Sequence, residues 1–421
     1  MRILLCSLLL CLLPNHLVAA TLTLDECLAQ ARKHSPSLRL SRMDNDIAEE
    51  RVRQSEAAQF PRIDAQGGYT AQGEAQAMKI NGLAMETQQP SYLFGNASLQ
   101  YTLYDFGRRK ARIGTARTSA DAIKFDILSQ EQDIVLQVAE NFLAILESQK
   151  KLQALDDEVR TVEEHRRIAL ALYEAGSTTR NDLLQADVRL ANVRQQLLAQ
   201  HNQVENLYLR LNFLTGATAT ARPQLAEPAS PDSQQQVNVD PSVALRQRPD
   251  LQALRKNVTS REHDLQESRA TFYPEIFTRL SLDYLENNKL REQAIYAGSV
   301  GVKINLFDGF SSTATRNKAM IAQSKANERV RLAEQEVRLE IAVAVNDQQV
   351  AFQRIAVTKE SIRQGEENLR INQSRYQERV GTASDVLDAQ TLLTQTRSEH
   401  FRAIYDYQRA TAKLRKAVGN L

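Results

Sequence analysis

The chain has 421 residues with 53 basic against 51 acidic side chains, 6 histidines and no tryptophan. So even a balance argues against nucleic acid as a partner. Glycine and proline are sparse, at 15 and 10 residues, which suits long helices better than a compact mixed domain.

Residues 1–20 read as a secretory signal peptide. Arg2 supplies a basic start, Ile3 to Leu13 is apolar, and Val18-Ala19-Ala20 offers small residues for cleavage. Such a segment is too short for a stable membrane anchor. Cys6 and Cys11 each follow leucine, which disfavours lipid attachment, and only Cys27 would remain after cleavage. No intrachain disulfide is then expected. No other segment approaches the ~18 consecutive apolar residues of a membrane helix. An exported chain of this kind is periplasmic, secreted, or inserted in an outer membrane as strands.

The first element is a helix from Leu24 to Ala58, opened by Thr23 and Glu26 in capping-box spacing and stopped at Phe60-Pro61. The period then changes to two. A weak strand spans about Ile63 to Gly73 and a polar loop runs from Glu74 to Leu93. In the next strand Leu99, Tyr101 and Leu103 alternate with Ser98, Gln100 and Thr102. After Tyr104-Asp105-Phe106-Gly107 a helical pattern runs from Arg108 to about Leu172 with no proline, and would stretch about 100 Å. A glycine turn follows Tyr173, and a returning helix ends at Gly216. Residues 217–240, with Pro223, Pro228 and Pro231, form a connector.

The order then repeats. A helix from Arg248 to Ala270 stops at Tyr273-Pro274, and strands are expected at Ile276 to Glu286 and Ala297 to Phe307. Phe307-Asp308-Gly309-Phe310 leads into a long helix from Ser311 to about Tyr376, which turns near Gly381 and returns to Gly419. Pro36/Pro249, Leu38/Leu251 and Pro61/Pro274 share one offset. Asp105/Asp308, Tyr173/Tyr376, Asp182/Asp385 and Gly216/Gly419 share another. Two structural repeats are therefore expected, at 21–216 and 241–421, each a helix, a β-hairpin and a long helical hairpin.

Four strands are too few to close a membrane barrel, and an open edge cannot lie in lipid. Cyclic oligomerisation solves this, and a homotrimer would supply twelve strands. The other reading of the heptads is a soluble antiparallel coiled-coil bundle, and with it a periplasmic or surface scaffold or adhesin.

Signal, helix, strand pair and long hairpin, with the last three repeated once, resemble the TolC-type outer membrane efflux family. The residues that carry the likeness are Leu22 to Leu28, Tyr104-Asp-Phe-Gly-Arg-Arg109 with Phe307-Asp308-Gly309, and the turns before Asp182-Leu-Leu-Gln-Ala186 and Asp385-Val-Leu-Asp-Ala-Gln390. The resemblance implies an α+β outer membrane protein. Long α-helical hairpins would form an α-barrel reaching into the periplasm, and four strands per chain would join a trimeric twelve-stranded transmembrane β-barrel. It implies an exit duct for an efflux pump or type I secretion system, with a periplasmic adaptor and an inner-membrane pump of RND or ABC type as partners.

By the same resemblance, Val380-Gly381-Thr382 and Ala175-Gly176-Ser177 mark adaptor-contact tips. Asp385 and Asp388, with Asp182 in the first half, mark a periplasmic constriction. The plainer alternatives are ordinary helix-turn-helix glycines and solvated carboxylates at helix starts. The family's basic residue after the triplet is Ala383 here and its tyrosine before it is Glu378, which leaves Arg375, Arg379 and Arg180 as candidates to hold the end shut.

Catalysis finds little support. The histidines are scattered, and no phosphate loop, dinucleotide fingerprint, zinc motif or nucleophile elbow occurs. No enzyme activity, cofactor or metal is expected.

Overall fold

The computed structural model describes residues 21–80, 82–229 and 239–421. The signal peptide read at 1–20 and the connector residues 230–238 lie outside them. Two compact units emerge, and each draws on both halves of the sequence. One holds the chain up to Arg39 with Gln130–Ala244 and Arg338–Leu421; the other holds Leu40–Ser129 and Leu245–Val337.

The expected first helix is two helices, α1 (Leu24–His34) and α2 (Pro36–Glu56). Ser35 between them has φ −56° and ψ 124°, the extended conformation that a following proline imposes. Strand β1 (Arg62–Ala71) follows. The expected polar loop contains a small hairpin, β2 (Ala77–Ile80) and β3 (Leu83–Glu86), with Gly82 at φ 88° in its turn. Strand β4 (Ser91–Tyr104) starts earlier than its alternation showed. Helix α3 (Arg108–Glu174) is continuous over 67 residues and α4 (Arg180–Thr215) returns from it.

In the second half α5 (Pro241–Gln247) and α6 (Pro249–Ala270) flank Arg248, at φ −59° and ψ 127°. The same pre-proline break thus occurs twice. Strands β5 (Glu275–Leu285) and β6 (Ala294–Lys303) follow, then α7 (Ser311–Gln377) and α8 (Ala383–Ala417). Strand β6 stops short of the expected Phe307 because its pairing ends at Glu275↔Lys303. Pro274 precedes that pair and offers no N–H to extend the ladder.

The four long strands form one antiparallel sheet in the order β1-β4-β5-β6. The central β4–β5 pairing brings the two halves of the sequence together, with Leu99 opposite Leu280 and Ala97 opposite Leu282.

The helical unit has its own core. Cys27, Ala31 and Leu38 pack with Val138, Phe142 and Ile145 of α3, Leu211 and Leu214 of α4, and Tyr405 of α8. Each fully buried aliphatic side chain stabilises by about 1.5–3 kcal/mol. Part of the connector joins this core. Leu225 is buried, the Leu22 N–H donates to the Gln224 carbonyl at 2.7 Å, and the Tyr208 hydroxyl donates to the Pro223 carbonyl at 3.0 Å. A second cluster lies nearer the helical turns, with Leu155, Val159 and Val162 of α3 against Leu190, Val193 and Leu387.

Candidate functional site

Alternation gives the sheet two chemically different faces. On one face the register aligns Ile63, Leu99 and Leu280, with Leu282, Val300 and Val302 beside them. Ile63, Leu280, Val300 and Val302 are more than half exposed, and Tyr296 on the same face is 80% exposed. The opposite face aligns Arg62, Gln100, Arg279 and Ser299, and next to them Asn96 and Asp283. Its polar groups satisfy one another. Arg62 pairs with Asp64 at 2.8 Å, Asn96 donates to Asp283, and Thr102 Oγ1 donates to Glu275 at 2.7 Å. Within the sheet β1 and β6 each have a neighbour on one side only. An exposed apolar face with open edges is stable in lipid only if the edges are paired. Among the described residues, no helix is long and apolar enough to cross a membrane.

Each strand pair passes to its long helix through two left-handed residues, as in a type I′ turn. Phe106 (φ 52°) precedes Gly107 (φ 87°) in the first junction; Gly309 (φ 65°) precedes Phe310 (φ 68°) in the second. Asp105 and Asp308 then accept from the backbone N–H groups of Arg109 and Ser312, both at 2.9 Å. Aromatic side chains gather here. Phe106 stacks on Tyr273 with ring centroids 5.3 Å apart, while Phe60, Phe307 and Phe310 are exposed. Aromatic rings at this level suit a membrane–water interface.

The other unit carries two unpartnered apolar helical stripes. On α4, Leu184, Val188, Leu198, Leu209 and Phe213 share one helical face; on α7, Leu339, Val343, Val350 and Val357 do. All nine are exposed in the single chain.

The helical turns place the sequence-predicted residues as follows. Gly176 at φ 68° ends α3, and the Ser177 N–H closes the turn onto the Leu172 carbonyl at 2.8 Å. At the end of α7 the corresponding bond runs from Val380 N–H to the Arg375 carbonyl at 2.9 Å, so the left-handed residue is Arg379, at φ 63°. The counterpart of Val380-Gly381-Thr382 is therefore Ser177-Thr178-Thr179, not Ala175-Gly176-Ser177. Sequence reading aligned the glycines; the backbone aligns the hydrogen bonds. Val380 is 65% exposed, and Ala175, Gly176, Ser177 and Thr382 are exposed with it.

Thr179 with Asp182, and Thr382 with Asp385, form capping boxes. Asp385 accepts the Thr382 N–H at 3.0 Å. That bond, the Thr382 hydroxyl and the Arg375 charge hold its carboxyl below the usual aspartate range. Asp182 is half-buried and also accepts from Thr178 Oγ1. Asp388 is exposed one turn further along α8. Ala383 is buried against Tyr376 and Val386.

Sequence reasoning missed His165. It lies 6% exposed on α3, its ring 5.1 Å from that of Tyr376, and its Nε2 has no hydrogen-bond partner. Burial pushes the imidazole below its ordinary pKa, partly offset by Asp182. A lone histidine in a heptad gives no sequence signal of burial. Among the described residues, no group of three or more histidine, cysteine, aspartate or glutamate side chains is placed to hold a metal ion.

Comparison with known proteins gives a concordant picture. A family model described as outer membrane efflux protein matches residues 27–217 and 241–420. The chain is 23% identical to nodulation protein T of Rhizobium leguminosarum bv. trifolii, over 89% of this chain and 80% of that one. It is 22% identical to the outer membrane protein TolC of Escherichia coli K12, over 93% and 81%. Among solved structures it is similar to the outer membrane protein VceC of Vibrio cholerae, with a TM-score of 0.79 and 19% identity over 94% of this chain and 96% of that one.

Proposed function

Because the chain belongs to the outer membrane efflux protein family, we propose that it is an exit duct, conducting substrates passively across the outer membrane. It serves a tripartite efflux or type I secretion system, in which an inner-membrane pump drives transport and a periplasmic adaptor links pump to duct. The carrying observation is the sheet, apolar on one face, polar on the other, and open at β1 and β6. Three copies joined edge to edge bring twelve strands into a closed barrel, with the apolar face toward lipid and the polar face toward the lumen.

The stripes on α4 and α7 support the same ring. Each chain offers one stripe to its neighbour on either side, the head-to-tail contact that closes a cyclic trimer. Residues 21–216 and 241–421 act as two repeats around that ring, joined by 217–240. The exposed tips, Ala175 to Thr179 and Val380 to Thr382, meet the adaptor. Asp182, Asp385 and Asp388 of the three copies converge at the starts of α4 and α8 as a carboxylate constriction, which favours cations and is blocked by multivalent ones. The test is the purified protein in planar bilayers. The reading requires a heat-resistant trimer in detergent and discrete single-channel conductance, and a monomer without conductance refutes it.

A further inference from the structure

Two phenyl rings on the polar face of the sheet are set back into spaces left by glycines. Gly68 of β1 faces Phe94 of β4, and Gly301 of β6 faces Phe277 of β5. Alternation puts all four on the face of Arg62, Gln100 and Arg279. A Cβ added to Gly68 would lie 2.8 Å from Phe94 Cζ and 2.9 Å from Cε1. On Gly301 it would lie 2.7 Å from Phe277 Cζ and 3.0 Å from Cε1. Carbon atoms in optimal contact stand about 3.5–4.0 Å apart. Each ring therefore lies across the neighbouring strand, in the volume that any side chain other than hydrogen would fill.

The arrangement occurs once in each outer strand pair, with the partners exchanged. In β1–β4 the glycine is on the first strand; in β5–β6 it is on the second. The two niches also differ in height. Phe94 lies near the end of β4 away from the helices, whereas Phe277 lies two residues into β5, next to the strand–helix junctions.

We propose that Gly68 and Gly301 determine the width of the barrel lumen, by recessing Phe94 and Phe277 against its wall and so fixing the largest solute that passes through this part of the conduit. The inference rests on the channel reading, in which this face lines the lumen. Twelve strands spaced about 4.8 Å apart and tilted by roughly 40° close into a cylinder of radius about 12 Å. A phenyl ring standing off such a wall reaches about half-way to the axis, and three symmetry-related rings would occlude much of the opening. Lying flat, the same rings leave the lumen clear while covering the glycine backbone, as aromatic residues do for strand glycines elsewhere. Covering the backbone alone would be a purely structural role, and the experiment separates the two.

The probe is a thiol at Gln100→Cys, on the same face and six residues further along β4 than Phe94. The full chain is labelled in the outer membrane of intact cells with maleimide–polyethylene glycol reagents of graded size. With Gly68→Ala the largest reagents that label the parent should react several-fold more slowly, while the smallest is unaffected. Phe94→Ala, which removes a ring already recessed, should admit reagents at least as large as the parent does. The double variant Gly68→Ala/Phe94→Ala should regain or exceed the parent's profile even if Gly68→Ala alone assembles poorly. A size profile unchanged in Gly68→Ala trimers, or narrowed by Phe94→Ala, overturns the proposal and leaves backbone cover as the rings' only role. If even the smallest reagent fails to reach Gln100→Cys in the parent trimer, the channel reading falls first.

Discussion

Arg379 occupies the backbone position of Gly176. Both are left-handed, at φ 63° and 68°, and each precedes the residue whose N–H closes its hairpin turn. A non-glycine residue in this conformation costs roughly 1 kcal/mol relative to glycine. Arg379→Gly should therefore stabilise the second tip by about that amount, and a β-branched Arg379→Val should destabilise it. Hydrogen exchange of residues 376–386 reads the effect. The Arg379 side chain is exposed, and on the proposed adaptor reading it serves contact. Adaptor binding should accordingly weaken in Arg379→Gly while the tip becomes more rigid.

The two faces of the sheet predict opposite responses to similar substitutions. Leu280→Arg puts a charge on the lipid side, at a cost of about 2–4 kcal/mol near the bilayer midplane. Arg279→Leu, one residue away, alters only the polar side. Outer membrane fractions should contain heat-resistant trimer for Arg279→Leu and little for Leu280→Arg. Equal yields would contradict the assignment of the faces.

The helical stripes predict an assembly defect without a folding defect. Leu198 on α4 is 71% exposed and Val350 on α7 is 56% exposed, so neither supports the core of its own chain. Leu198→Asp or Val350→Asp should leave helicity intact and shift cross-linked trimer toward monomer. A trimer indifferent to both changes would place the contact elsewhere.

Acid should loosen the tips through His165. Burial depresses its folded pKa, so between that value and the ordinary value of about 6.5 the unfolded segment binds more protons than the folded one. Stability supplied by neutral His165 is then complete above about pH 6.5 and falls as the pH drops below it. Exchange at residues 165–180 and 372–386, corrected for intrinsic rates, should rise between about pH 7.5 and pH 5.5. The rise should be largely abolished in His165→Phe. Asp385 works at stronger acidity. Its carboxyl is held below the ordinary range, so its contribution is present above that range and is lost as the pH falls through the lowered value.

The proposed constriction role of the aspartates can be separated from the structural work of Asp385. Asp385 closes a capping box with Thr382, whereas Asp388 is exposed one turn away. Asp388→Asn should weaken block by multivalent cations with no change in exchange at the tip. Asp385→Asn should weaken the block and also fray the start of α8. Unchanged block in both variants would remove these carboxylates from the lumen.

Local chemistry was legible in the sequence. Alternation marked the sheet strands, the prolines after Phe60 and Tyr273 stopped the first helices, and uninterrupted heptads marked α3 and α7, because each signal acts within a few residues. The break at Ser35-Pro36 was also written there, although the helical period on either side masks it. What the sequence left open depends on partners distant along the chain. The pairing of β4 with β5 joins residues nearly two hundred positions apart, and the end of β6 follows from where β5 begins. The burial of His165 under Tyr376, the left-handed turn at Arg379 and the niches under Phe94 and Phe277 are likewise set by neighbouring segments. One-dimensional periodicity tells which face of an element is apolar. Only three-dimensional packing decides what lies against that face, because hydrophobic contact is non-directional and takes its specificity from the shape of the surface it meets.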